Sequence, residues 1–271
     1  VPEDIPENMI FVSARENGNI HALKEKIAAL VHSVPPAREL IADLVSPGDA
    51  VVLVTPIDSA APKGRLILPQ QQTIRSLLDA GCIPVVTRET ELARTLSLLR
   101  EPPALVVTDS QAFGMVSRIV PDSVRLTSFS ILFARYKGDL RTAVLGAAAL
   151  RRLKDGDTVL ISEGCTHHRQ CGDIGTEKLP RWVRQYTGRD IRFVFTSGGE
   201  FPENLSPYAL IIHCGACMLG EREMQSRLRR AAEQCIPVTN YGIAIAQIHG
   251  ILDRALRPFS ALHAEWEKQQ Q

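Results

Sequence analysis

The chain lacks an excess of charge of either sign, a long hydrophobic run and an opening export leader. Its 271 residues carry 31 Lys and Arg against 30 Asp and Glu, a formal charge of +1 at pH 7. So even a balance excludes a protein that works mainly by coating nucleic acid or an anionic membrane. The longest apolar stretches, such as Ala143 to Leu150, fall far short of the ~20 residues that a spanning helix needs. No charged-then-apolar segment with a small-residue cleavage site opens the chain, so the expected location is cytoplasmic. An initial Met is missing too, and Val1 reads as a processed or truncated start. No short-period repeat is found, although the two halves read as sharing an architecture.

What the chain does have is 45% hydrophobic residues, enough for about two compact units at ~150 residues each. It also has six cysteines, unevenly spread. Cys165, Cys171, Cys214 and Cys217 crowd into one stretch, while Cys82 and Cys235 stand alone. Without an export signal, such a cluster binds metal more often than it forms disulfides.

The opening reads as a strand over Met9 to Val12, a turn at Asn17-Gly18-Asn19, and a helix N-capped by Asn19. Its apolar face is Ile20, Leu23, Ile27, Leu30 and Val31, and Pro35-Pro36 closes it. From Ala37 onward strands alternate with helices. Strands are expected at Ala50 to Val54, Ile83 to Val86 and Leu105 to Thr108, with helices at Gln71 to Ala80 and Glu89 to Leu99. The pattern then repeats. Helices are expected at Asp139 to Leu153, Leu179 to Tyr186, Arg222 to Gln234 and Ile243 to Leu256. Between them come strands at Val159 to Ser162, Ile191 to Phe195, Leu210 to His213 and Ile236 to Thr239. Valine-rich runs joined by helices predict an α/β fold of two consecutive domains with mainly parallel sheets, meeting near residue 130, and a polar, frayed tail to Gln271.

The chemistry concentrates in His213-Cys214-Gly215-Ala216-Cys217. A Cys-x-x-Cys turn aims two thiolates at one metal centre, and the Gly and Ala between them allow a tight loop. Cys165-Thr166-His167 adds a third cysteine and a histidine. Both groups follow predicted strands, at the carboxyl ends where open α/β sheets build their sites, and Asn240-Tyr241-Gly242 follows a third. One pocket with three thiolates is the natural expectation. The residues alone leave open a closed zinc site and an iron-sulfur cluster.

Longer stretches carry a resemblance. The Cys-x-His … His-Cys-x-x-Cys pattern, Thr55 through Gln70 (TPIDSAAPKGRLILPQ) and Cys165 through Trp182 (CTHHRQCGDIGTEKLPRW) resemble the HydF family of FeFe-hydrogenase maturation factors, over about Phe11 to Pro258. The resemblance implies a 4Fe-4S cluster on Cys165, Cys214 and Cys217, with a displaceable ligand on the fourth iron. His167 and His213 match the signature's histidines and are candidates either to ligate or to hydrogen-bond the cluster sulfurs and hold the loop. It further implies three parts: residues 1–35 as the C-terminal remnant of a GTPase domain, 36–130 as a dimerisation domain and 131–260 as the cluster domain, with 261–271 as the tail. Phe11-Val12-Ser13-Ala14 is similar to the last guanine-contacting loop of such a GTPase. No Gly-x-x-x-x-Gly-Lys-Ser/Thr loop is present, so GTP is expected to act only in the full-length protein. The implied function is a non-enzymatic scaffold and carrier, with no catalytic residues. As a homodimer it takes a transient di-iron H-cluster precursor from the radical-SAM maturases HydE and HydG and delivers it to apo FeFe-hydrogenase. The rival readings are a zinc-stabilised α/β interaction module and a small-molecule enzyme with redox cysteines.

The remaining candidates have plainer expectations. His168 and Cys171 are read as structural neighbours of the site, and Glu163 and Asp173 as solvated loop carboxylates rather than fourth ligands. Arg227, Arg229 and Arg230 read as a wet helix face. Cys82 and Cys235, each before Ile-Pro-Val, read as small packed hydrophobes, and Lys63 and Arg65 as loop cations.

Overall fold

The computed structural model describes residues 9–31, 38–57, 66–164, 173–216 and 219–270. They fall into a short N-terminal unit, residues 1–38, and one compact body, residues 39–271.

In the N-terminal unit the expected strand is absent. Met9, Phe11 and Val12 are exposed and, with no neighbouring strand to pair with among the described residues, form no ladder. One antiparallel bridge, Ser13 to Gly18, closes the turn. Asn17 and Asn19 both take left-handed conformations, φ 54 and 57. The Asn19 side-chain amide donates to the Phe11 carbonyl at 3.0 Å, and the Asn19 backbone carbonyl accepts from Leu23 N at 3.0 Å at the start of helix α1 (Ile20–Val31).

Among the described residues the body contains two four-stranded sheets in which every pairing is parallel. The first has the order β2-β1-β3-β4 and the second β6-β5-β7-β8. Their strands are β1 (Ala50–Val54), β2 (Ile83–Thr87), β3 (Leu105–Thr108), β4 (Leu126–Ser128), β5 (Thr158–Ser162), β6 (Arg192–Thr196), β7 (Leu210–His213) and β8 (Val238–Asn240). The inner strands carry unbroken apolar runs because both their faces are covered: Val51 to Val54 and Leu105 to Val107 are fully buried. α2 (Leu68–Asp79), α3 (Leu92–Leu98) and α4 (Phe113–Ile119) connect the first sheet, and α7 (Leu179–Thr187) and α8 (Glu221–Glu233) the second. Between the sheets in sequence come α5 (Phe129–Lys137) and α6 (Leu140–Ala147).

The two halves repeat one device. The last strand of each sheet runs straight into a helix through a polar cap. Ser128 Oγ accepts from Ile131 N at the start of α5, and Asn240 Oδ1 accepts from Ile243 N at the start of α9 (Tyr241–Ile248).

The expected closing helix is broken. Gly250, at φ 70, ends α9 in a conformation that a side chain disfavours, and α10 (Leu252–Leu256) starts afresh. The tail is not frayed. It forms α11 (Ser260–Gln270), whose Trp266 is buried against the first sheet's core. That core joins Val52 and Val106 to Val144 of α6, Ile243 of α9 and Leu256 of α10, so the chain's end returns to cover its first sheet. α9 serves both halves, with Ala244 and Ile245 packed in the second sheet's core.

Close backbone approaches hold this arrangement. At Gly146 on α6 a Cβ would lie 1.9 Å from the Val238 carbonyl oxygen of β8, and at Gly242 on α9 it would lie 2.2 Å from Ser130 Cβ on α5. Polar ties cross at the same seam, with Asn240 Nδ2 donating to Ser130 O at 3.1 Å and Gln225 Nε2 to Gly138 O at 3.0 Å. No helix among the described residues is long and apolar enough to cross a membrane.

Gly146→Ala should force α6 off β8. A loss of about 2 kcal/mol or more is expected, typical of overpacking against an unyielding backbone. Thermal unfolding should show a midpoint several degrees lower, and an unchanged midpoint would contradict the close approach.

Candidate metal centre

Parallel strands present their carboxyl ends on one side of a sheet. Here Ser162 of β5 pairs with His213 of β7, and His213 with Asn240 of β8. The loops that leave these strands therefore start side by side.

Cys214 sits at the centre of that row. Its amide donates to the Ser162 carbonyl at 2.9 Å, extending the β5–β7 ladder by one residue. Its Sγ accepts two backbone amides, Gly164 N at 3.0 Å and Ala216 N at 3.4 Å. The second contact depends on Ala216 holding a left-handed φ of 53. Amides aimed at a sulfur favour the thiolate, the form that binds soft metals and cluster iron. The Gly164 contact also brings the β5 exit, the segment leading to Cys165, against Cys214. Cys165, His167, His168, Cys171 and Cys217 lie outside the described residues, as do Lys63 and Arg65.

His213 is buried beside Cys214, and both its ring nitrogens are engaged. Nδ1 is 2.9 Å from the Cys214 carbonyl and Nε2 is 3.1 Å from an Arg227 guanidinium nitrogen. A guanidinium only donates, so Nε2 accepts and Nδ1–H donates to the carbonyl. Burial above all, reinforced by the Arg227 charge and opposed by the Cys214 carbonyl, pushes His213 down to about 4, so the ring is neutral.

Arg227 overturns the expectation of a wet basic face. It is 3% exposed, on a stripe with Met224, Leu228 and Ala231 that faces the core. Besides His213 it donates to Glu223 Oε1 at 2.8 Å, Gly198 O at 2.8 Å and Ser162 Oγ at 3.4 Å, and it lies 5.1 Å from the centre of the Phe201 ring. Arg230 is half-buried and donates to the Phe201 carbonyl at 3.2 Å, which leaves Arg229 as the exposed member of the run. The signal was present: position 227 falls at the i+3 spacing from Met224 and the i+4 spacing to Ala231.

Two other readings change. Glu163 is buried, 3% exposed, and accepts from the Tyr241 hydroxyl at 3.2 Å. Burial, then the nearby Glu163 and Cys214 charges, push the Tyr241 phenol up, so it stays protonated as a donor. A Cβ on Gly175 would lie 2.3 Å from that hydroxyl, so the following turn closes directly over the pair. Asp173, half-buried, caps that turn by accepting from Thr176 N at 2.9 Å. Cys235 is exposed rather than packed, at φ 57 just beyond the end of α8. Cys82 does pack in the core, donating to the Ser46 carbonyl at 3.3 Å, and burial pushes its thiol up.

The first half of the body also reaches the site. Lys137, at the end of α5, donates to the Ala216 carbonyl at 3.5 Å and the Leu219 carbonyl at 3.4 Å, on either side of residues 217–218. Away from the site, Asp253, His263 and Glu267 bring ligand atoms within 4.8 Å of one another. Asp253 there also pairs with Arg257 at 3.1 Å, and the group ties α11 to α10.

Residues 40–138 match the hydrogen maturase F dimerization domain, and residues 141–258 match the hydrogen maturase F tetramerization domain. The second match contains β5 to β8 and all of the cysteine cluster. None of the curated proteins matches the chain.

Arg227→Met should leave His213 Nε2 buried without its donor, at about 1–3 kcal/mol. Denaturant unfolding should show that loss. Arg227→Lys should recover only part of it, because one ammonium cannot reproduce the planar fork; full recovery would contradict the network.

Proposed function

Because two domains of hydrogen maturase F between them match most of its length, the chain belongs to the HydF family of hydrogenase maturation proteins, and we propose that within that role it is a scaffold and carrier for a metal cofactor. Cys165, Cys214 and Cys217 hold a 4Fe-4S cluster. When bound, that cluster supplies an iron whose ligand is exchangeable, a docking point for a di-iron precursor of the hydrogenase active site. The protein receives this cargo from the radical-SAM maturases HydE and HydG and delivers it to apo FeFe-hydrogenase. It works in the cytoplasm as a homodimer, and GTP acts through a domain of the full-length protein.

The observation that carries this reading is Cys214 Sγ accepting two backbone amides where the carboxyl ends of β5 and β7 meet. The donor set fits the group: thiolates suit cluster iron, and amide donors to sulfur are how proteins tune such centres. The chain's own residues then have distinct tasks. Gly164 and Ala216 stabilise the Cys214 thiolate. His213, with both nitrogens engaged, holds the Cys214 carbonyl rather than offering a lone pair, which leaves the fourth iron to another ligand. Lys137 secures the carbonyls on either side of Cys217 and brings positive charge to an anionic site. No proton transfer or covalent step is assigned to any side chain.

After anaerobic reconstitution, wild-type protein should contain iron and sulfide in equal amounts. On reduction it should give a 4Fe-4S electron paramagnetic resonance signal that responds to added imidazole. Cys165→Ala, Cys214→Ala and Cys217→Ala should each lose the cluster. A normal signal in all three variants would refute the ligand set, and one zinc per chain without sulfide would replace the scaffold by a zinc-stabilised module.

A further inference from the structure

β6 is the outer strand of its sheet. Arg192 N donates to Asp157 O and Glu163 N to Thr196 O, each at 2.9 Å. With the parallel register of Arg192, Val194 and Thr196 on Thr158, Leu160 and Ser162, the even-numbered residues turn their backbone groups toward β5. The N–H and C=O groups of Phe193 and Phe195 therefore point to the open edge. Val194 is 38% exposed and Phe195 37% exposed on that edge. The equivalent outer strand of the first sheet, β2, carries Pro84 at an outward position and so lacks one donor. β6 lacks none.

We infer that the β6 edge pairs antiparallel with the β6 edge of a second copy of this chain, about a twofold axis at Val194. That axis sets Phe193 opposite Phe195 of the other copy, and each such pair exchanges both its backbone hydrogen bonds. Arg192 falls opposite Thr196 and Asp190 opposite Gly198, so no like charges face each other. Val194 meets its own copy in the non-hydrogen-bonded position, where side chains approach most closely. A second copy is the occupant because the stretch containing β6 matches a tetramerization domain. An open edge with every donor intact and exposed apolar side chains is the kind that soluble proteins cover or pair. The inference rests on the family assignment for self-association and is independent of the cluster.

Analytical ultracentrifugation of the cluster-free chain tests it, using wild type, Val194→Lys and Val194→Glu. In each variant two like charges meet at the axis. Each alone should show roughly half the wild-type assembly mass, with an unchanged circular dichroism spectrum because position 194 is exposed in the single chain. A one-to-one mixture should return to the wild-type mass, since Lys then meets Glu. Unchanged mass in both variants overturns the β6 pairing while leaving self-association standing. A wild-type chain that remains monomeric overturns both. If a variant's spectrum changes, hydrogen exchange of the Phe193 and Phe195 amides in wild type decides: protection in the assembly supports the pairing, and fast exchange overturns it.

Discussion

Strands β1, β3, β5 and β7 have no face left for water, and this constraint orders the rest of the body. Their side chains are spent on packing: Val159, Leu160, Ile161 and Leu210 to Ile212 are all fully buried. Chemistry has to leave such a sheet at its ends, and parallel strands put all their carboxyl ends together. Hence Ser162, His213 and Asn240 stand in one row, and the cysteine loops begin within hydrogen-bond reach of one another.

Burying polar groups beneath that row carries a cost that only mutual satisfaction offsets. An unpaired guanidinium has no place in the core, but Arg227 finds carbonyl, hydroxyl, imidazole and carboxylate acceptors together with an aromatic face. The same network decides what His213 does. Its tautomer follows from the guanidinium on one side, and its remaining N–H from the Cys214 carbonyl on the other. Tyr241 and Glu163 form a second hydrogen-bonded pair near Cys214. The loop that carries the thiolate is thus held by groups that do no chemistry themselves.

The seam between the sheets makes one body of two similar halves. Gly146 lets α6 approach β8, and Gly242 lets α9 approach α5, closer than any side chain allows, and α9 packs into the cores of both halves. Lys137, from the end of the first half, reaches the cysteine loop of the second.

Period and composition were enough wherever a residue's neighbours lie along the chain. Ala50 to Val54, Leu105 to Thr108 and Leu210 to His213 were legible to the residue, because a continuous valine-, leucine- and isoleucine-rich run has few other uses. Strand β4 was not: three residues are too few to show a period. Helix α5 shows no period in the sequence because apolar residues Phe129, Ile131, Leu132 and Phe133 fall on several faces, as suits a helix buried between layers. The tail reads as frayed in the sequence because Trp266 finds its core far upstream, at Val52 and Val106. At the site, the sequence by itself marks the cysteines and histidines as candidates, since ligand chemistry belongs to the residue type. Only the tertiary structure decided that Arg227 is a buried tether, that Glu163 is held by Tyr241 and that His213 has no nitrogen to spare. Those roles depend on which strands and helices end side by side, and hydrogen bonds between segments far apart in the chain leave no period to read.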